Sequence, residues 1–99
     1  MEKINEFCES RMADLFKALG DETRLHLFQL IVRQPDICAC ELLKKTSIAQ
    51  TTLSHHLKIL AQVQLVTVRK DGRWKHYSPN NQTLVELLHY IQTLGKEER

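Results

Sequence analysis

The sequence predicts a mainly α-helical domain that carries one β-hairpin, in the order α-α-α-α-β-β-α. Apolar residues recur at the three- and four-residue spacing of amphipathic helices through most of the chain. After Leu65 the pattern changes to β-branched and alternating residues around Asp71-Gly72, a strong hairpin-turn dipeptide. The length of 99 residues favours a single domain over residues 1–99, and a core of this size makes oligomerisation an expectation.

The first two helices are marked by apolar periodicity and by the residues between them. The first is expected over residues 4–19 and should end at Gly20, in the left-handed conformation that glycine favours. The second should begin after Asp21, whose side chain is a suitable N-cap, and should stop near Pro35. The residues expected to be buried on this second helix are Leu25, Phe28, Ile31 and Val32.

The next two helices are joined by a polar break. The third, residues 38–46, begins with the layout of a capping box, in which Cys38 is the N-cap and Glu41 follows three positions later. The fourth, residues 50–62, has a face of small polar side chains, whereas an ordinary solvated face would carry more Glu and Lys. Its expected buried residues are Leu53, Leu57 and Leu60.

The hairpin strands are expected over residues 65–69 and 74–78, and a last helix follows Pro79 and Asn80. The apolar stripe of that helix comprises Leu84, Leu87, Leu88, Ile91 and Leu94. Two helices joined by a short turn and followed by a β-hairpin form a winged helix-turn-helix. In helix-turn-helix proteins the second helix enters the major groove of DNA. The order of elements therefore predicts a DNA-binding domain.

The distribution of charge also favours DNA as a partner. Residues 44–78 contain seven basic residues and one acidic residue, a net charge of +6, whereas the rest of the chain has a net charge of −4. Gln, Ser and Thr side chains can hydrogen-bond base edges, and hairpin cations can contact phosphates. The predicted DNA-binding residues are Gln50, Thr51, Thr52, Ser54, His55 and Lys58 on the fourth helix and Arg69, Lys70, Arg73 and Lys75 on the hairpin.

Several strings of the sequence resemble the ArsR/SmtB family of metal- or metalloid-sensing transcriptional repressors. They are residues 15–25 (LFKALGDETRL), 37–42 (ICACEL), 50–58 (QTTLSHHLK) and 69–77 (RKDGRWKHY). The resemblance implies a homodimer, with the first and last helices as the interface, that binds its operator in the ligand-free state. The interface residues that it implies are Phe7, Leu84, Leu87, Leu88 and Ile91. Ala49 departs from the family, whose members usually have a hydroxyl N-cap there.

Cys38 and Cys40 are candidate ligands for a soft ion. Residues two apart in a helix point away from each other, but an N-cap residue is not helical, so both sulfurs can approach one point. The helix N-terminus favours the thiolate, which binds ions such as As(III), Cd(II) and Pb(II). Arsenic-sensing relatives carry a third cysteine where this chain has Leu43, so the resemblance makes Cys8 the candidate third ligand. Packing at the dimer interface is the alternative role for Cys8.

These features predict a homodimeric repressor that is released from operator DNA by As(III), with Sb(III) as a second inducer. The alternatives are a thiol-based redox or persulfide sensor, a Cd or Pb sensor of the same fold, and a ligand-free winged-helix protein-interaction module. No required cofactor and no enzymatic activity are expected, because the sequence has no nucleophile–base arrangement or Gly-rich phosphate loop. No apolar run approaches the ~18 residues of a membrane span, so we expect a cytoplasmic protein with three reduced cysteines.

Overall fold

The computed structural model describes residues 8–95 and confirms the predicted fold, a mainly helical winged helix-turn-helix with a small sheet. Its helices are α1 (Glu9–Leu19), α2 (Glu22–Arg33), α3 (Ala39–Thr46), α4 (Gln50–Gln62) and α5 (Asn81–Gly95). Its strands are β1 (Ile37–Cys38), β2 (Val66–Asp71) and β3 (Trp74–Pro79). No helix within the described range is long and apolar enough to cross a membrane.

The sheet has a strand that the sequence did not predict. β1 pairs antiparallel with β3, which also pairs with β2, so the strand order is β1-β3-β2. Ile37 lies opposite Tyr77, and Cys38 lies opposite His76. A strand of two residues is too short to show alternation, and its partner is distant in sequence. Because of this pairing, the residue that precedes α3 is attached directly to the hairpin.

The hairpin of β2 and β3, called the wing below (residues 66–79), turns at Gly72-Arg73, one residue later than the predicted dipeptide Asp71-Gly72, because Asp71 still pairs with Trp74 at the end of β2. Gly72 has a φ of 65°, a left-handed conformation that a side chain disfavours. In the paired strands Arg69 lies opposite His76, and Asp71 lies opposite Trp74. Both strands extend slightly beyond their predicted ends, so the wing is longer than the sequence indicated.

The junction of α1 and α2 confirms one predicted cap and corrects another. The side chain of Asp21 accepts a hydrogen bond from the backbone N–H of Arg24 at 3.1 Å. Gly20 has a φ of −78°, so the prediction of a left-handed glycine is wrong. The chain passes directly into Asp21, which is extended (φ −97°, ψ 131°), and the turn needs no left-handed residue. The non-glycine residues of the described chain with positive φ are Asp36, Ser47 and Gln64.

The core lies between the helices and the sheet. Its fully buried large side chains are Leu15, Leu27, Ile31, Ile37, Leu42, Leu57, Leu60 and Leu65. The three residues predicted to be buried on α4 are all buried, but on α2 Leu25 and Val32 are 41% and 40% exposed. The prediction for these two residues is wrong because apolar side chains surround much of α2. A single core covers only the face with Leu27, Phe28 and Ile31.

Candidate nucleic-acid interface and cysteine pair

α3 and α4 form the helix-turn-helix, and α4 is fixed against the core by its buried leucines. The turn begins with Ser47, the C-cap of α3, in the left-handed conformation (φ 57°, ψ 23°). α4 then begins at Gln50 without a side-chain cap, because the N-cap Ala49 has no hydrogen-bonding group. Neither Ser47 nor Gln50 supplies a capping hydrogen bond in its place, so the start of α4 has no side-chain cap.

The polar face of α4 is exposed. Its exposed residues are Gln50, Thr51, Thr52, Ser54, His55 and Lys58. Within residues 8–95 their side chains form no hydrogen bond or ion pair, so they are available to an outside partner. His56 differs, since its Nδ1 lies 3.2 Å from Nη1 of Arg24 and 4.0 Å from Oδ2 of Asp21. His56 thus joins α4 to α2 and is a structural residue.

The exposed cations of the wing are of two kinds, those that form ion pairs with described residues and those that do not. Those without an ion-pair partner among the described residues are Lys70, Arg73 and Lys75. Arg69 instead donates to both carboxylate oxygens of Asp36, from Nε to Oδ1 at 3.0 Å and from Nη2 to Oδ2 at 2.9 Å. Its Nη1 also lies 3.9 Å from Oδ2 of Asp71. The hydrogen bonds from Arg69 hold the pKa of the Asp36 carboxyl below its usual range.

Asp36 is a further residue of this surface that was not predicted, because no local pattern in the sequence marks it. Its partner Arg69 is distant along the chain, and the two residues meet only because β1 adds to the sheet next to β3. The pair could have been found from the sequence only if β1 and its pairing with β3 had been predicted. Arg69, predicted as a DNA contact, is placed by the structure with its guanidinium directed at carboxylates.

The sulfurs of Cys38 and Cys40 meet at the start of α3. Cys38 is the extended N-cap (φ −72°, ψ 140°), and its Sγ accepts a hydrogen bond from the backbone N–H of Cys40 at 3.2 Å. The two Cα atoms are 5.2 Å apart, and the sulfurs are joined as a disulfide in this structure, which differs from the expectation that all three cysteines are reduced. The predicted capping box does not form, because Cys38 accepts from the N–H of Cys40 and not of Glu41, and Glu41 accepts a hydrogen bond from Nε2 of Gln34 at 3.2 Å.

Cys8 is not joined to this pair. It is the exposed N-cap of α1, and its Sγ lies 3.2 Å from Oγ of Ser10. The nearby Ser10 hydroxyl, together with the backbone N–H groups of Arg11 and Ser10 at the start of α1, favours the thiolate and lowers the pKa of the Cys8 thiol. Across the described range, no group of three or more His, Cys, Asp or Glu side chains could hold a metal ion. One protomer therefore brings two sulfurs to one point, and not three.

A cleft of about 550 Å³ lies between α3, α4 and the wing. Cys40 and Leu43 line it from α3, and Trp74 and Tyr77 line it from β3. The polar residues of α4 and the wing that line it are Gln50, Ser54, Lys58, Arg73 and Lys75. Cys40 therefore shares one cleft with both elements that the sequence predicts to bind DNA.

The last helix leaves an apolar stripe exposed. Its exposed large apolar residues are Val85, Leu88, Ile91 and Leu94. Among the residues predicted at the dimer interface, Leu88 and Ile91 are exposed and Leu84 is half-buried. Leu87 is only 7% exposed and packs in the core of its own protomer. Phe7 lies outside the described residues.

An exposed helix of base-contacting residue types beside a basic wing defines a DNA-binding protein of the winged helix-turn-helix class. The family model described as bacterial regulatory protein, arsR family, matches residues 21–68. The arsenical resistance operon repressor of Staphylococcus aureus is 35% identical over 84 residues, which are 85% of this chain and 80% of that protein. The chain belongs to the ArsR family of bacterial regulatory proteins, which are DNA-binding transcriptional regulators and not enzymes.

Solved structures share the fold. An ArsR-like transcriptional regulator from Rhodococcus sp. RHA1 superposes with a TM-score of 0.78 at 26% identity, covering 88% of this chain and 81% of that one. The homodimeric winged helix-turn-helix DNA-binding domain of a possible ArsR-family regulator from Mycobacterium bovis has a TM-score of 0.71 at 25% identity. That match covers 90% of this chain and 82% of the other.

Proposed function

We propose that this protein is a homodimeric repressor that leaves its operator when As(III), or the related Sb(III), binds the thiolates of Cys38 and Cys40. The observation that carries the proposal is the position of Cys40 in the cleft between α4 and the wing. An ion bound at this point lies against both elements that would contact DNA. The S. aureus relative is an arsenical resistance operon repressor, which agrees with this choice of inducer.

DNA binding, the first part of the proposal, is supported by two exposed surfaces with different chemistry, the polar face of α4 and the cations of the wing. The exposed Gln and Thr side chains on the first turn of α4 can hydrogen-bond base edges in the major groove. The wing cations that have no ion-pair partner within residues 8–95 are suited to phosphates, which position a protein on DNA without specifying sequence. A second protomer that covers the exposed stripe of α5 would present two such surfaces about one DNA turn apart, ~34 Å.

The ligand set for As(III) is incomplete in one protomer. Soft thiolates are the preferred ligands for soft ions, and Cys38 and Cys40 bring two sulfurs together. As(III) binds three sulfurs in a pyramid, and Cys8 of a second protomer is our candidate for the third. Its exposure and its lowered pKa favour a thiolate that a soft ion can bind. The Cys38–Cys40 disulfide must be reduced before either sulfur can bind an ion.

Release follows from the position of Cys38 at the start of α3. Cys38 caps the helix with a thiol, and an ion that binds this sulfur competes with the hydrogen bond from the N–H of Cys40. Cys40 and Leu43 of α3 line the same cleft as α4, so we expect a change in the first turn of α3 to alter the position of α4. A coupling free energy of about 1–3 kcal/mol would reduce operator affinity roughly 5- to 150-fold.

The test is an anisotropy titration of a fluorescent operator complex with arsenite, in the presence of a phosphine reductant. Cys38→Ser and Cys40→Ser should each bind operator normally and should not be released by arsenite. Cys8→Ser is the matched cysteine variant: it should weaken release less than the other two unless Cys8 supplies the third sulfur, in which case the loss should be equal. Release of the Cys38/Cys40 double variant by arsenite would show that the inducer binds elsewhere. Release of the wild type by cadmium or lead, and not by arsenite, would show that the inducer is one of those ions and not As(III).

The disulfide favours a second candidate function, a thiol redox sensor. Two reduced thiols and one molecule of hydrogen peroxide give the Cys38–Cys40 disulfide and two molecules of water, with the sulfurs oxidised and the peroxide reduced. This function requires that peroxide or a persulfide releases the operator while arsenite does not. If neither affects DNA binding, the ligand-free alternative is favoured instead.

A further inference from the structure

Asp36 is attached to the wing by four hydrogen bonds. Two of them are the bonds from Arg69 of β2 to its carboxylate. The backbone N–H of Asp36 donates to Oγ of Ser78 at 2.8 Å, and its carbonyl oxygen accepts from Nδ1 of His76 at 3.1 Å. Both the main chain and the side chain of Asp36 therefore hold the wing.

These contacts lie directly beside the cysteine pair. In the sheet, Cys38 lies opposite His76, and His76 lies opposite Arg69, so the three residues form one row across the strands. Asp36 precedes Cys38 by a single intervening residue, Ile37, which pairs with β3. A change of backbone at Cys38 therefore reaches the wing by strand pairing and by the Asp36–Arg69 pair.

From this geometry we propose that Asp36 and Arg69 are positioning residues that couple the state of the cysteine pair to the position of the wing. The inference rests on the proposed function, because it names the route by which ion binding or oxidation at Cys38 and Cys40 reaches DNA. It assigns Arg69 a role other than phosphate contact, since its guanidinium is directed at the carboxylates of Asp36 and Asp71.

Orientation is the main contribution expected of this pair, and its contribution to stability is small. Exposed ion pairs contribute little to folding, and both side chains are about half exposed. A bidentate guanidinium–carboxylate pair nevertheless fixes the geometry of its two partners. Lysine would keep the charge of Arg69 and lose the two-point contact. Asparagine would remove the charge of Asp36 and still tolerate its positive φ of 65°.

Trp74 provides a direct readout, because it is the single tryptophan of the chain, lies on β3 and lines the cleft. Reduced wild type, Asp36→Asn and Arg69→Lys are titrated with arsenite without DNA, and arsenic–thiolate absorbance reports binding. All three should bind arsenite equally. The Trp74 emission change of the wild type should be much smaller in each variant. In the double variant it should fall no further, because the two residues act as a unit.

Operator release by arsenite is measured in parallel for Asp36→Asn, and the loss of affinity on adding arsenite should shrink by about 5-fold or more. An equal Trp74 response in wild type and variants, with circular dichroism showing folded protein, would overturn the coupling. If the wild type binds no arsenite, the proposed inducer is wrong, and the comparison is repeated between reduced and peroxide-oxidised protein. A wild type whose Trp74 emission responds to neither treatment would also overturn the coupling.

Discussion

Neutralising Arg73 and Lys75 should reduce the salt dependence of operator binding. Both cations are exposed, and neither has an ion-pair partner among residues 8–95. In the proposed homodimer two wings would place four such cations near phosphate. Each phosphate contact contributes ~0.9 to the slope of log affinity against log salt concentration, so the double Gln variant should lose ~3.6 from that slope.

The size of the effect makes the measurement decisive. When salt rises from about 50 to about 200 mM, the wild type should lose ~150-fold more affinity than the variant does. Affinity is measured by fluorescence anisotropy on operator and on random DNA of equal length, and the loss should be the same on both. Lys17→Gln with Arg33→Gln is the matched control, because it removes two charges from α1 and α2, outside the wing and α4. A slope change below ~1, or one equal to that of the control, would refute a wing that contacts phosphate.

Three further predictions address base contact, assembly and acid stability. Gln50→Ala should weaken binding to operator by about 1–3 kcal/mol and leave random DNA unaffected, and an equal loss on both would exclude base contact. Leu88→Ala should shift the monomer–dimer equilibrium in sedimentation, whereas Leu87→Ala should instead lower the free energy of unfolding by about 2–5 kcal/mol. Bonds from the Arg24 backbone N–H and from Arg69 lower the pKa values of Asp21 and Asp36. Folded-state stabilisation by these carboxylates is present above about pH 4 and is lost as pH falls through their lowered pKa values. In urea unfolding, the decrease in unfolding free energy on acidification should be smaller for the Asp21→Asn/Asp36→Asn double variant than for the wild type.

The sequence predicted well those elements whose apolar residues repeat regularly along several turns of helix. α4 begins and ends where the spacing of its leucines and the polar break before it indicated. The turn at Gly72 was equally clear, because its dipeptide has a specific backbone requirement. The polar face of α4 was identified because solvent alone would not select so many hydroxyl and amide groups. These predictions depend on local patterns, which a single sequence contains.

The features that the sequence did not reveal depend on contacts between distant segments. β1 and the Asp36–Arg69 pair form only when residues near 37 meet residues near 77. The exposure of Leu25 follows from which face of α2 the core covers, and periodicity alone left that face broad. The third sulfur that we propose for As(III) would come from a second protomer, which a single chain does not show. The spacing of Cys38 and Cys40 indicated that their sulfurs meet, but it contains no information about Cys8.

Cys38 combines three tasks that make different demands on one side chain. It pairs with His76 in the sheet, caps α3 with its sulfur, and is the proposed ligand for the inducer. A thiol accepts hydrogen bonds weakly, whereas serine is among the preferred N-caps. Cys38→Ser should therefore raise the melting temperature of the reduced protein while abolishing its response. If Cys38 acts as proposed, the protein gives up helix stability at this residue in exchange for a response to the inducer, and selection for stability alone would remove the cysteine.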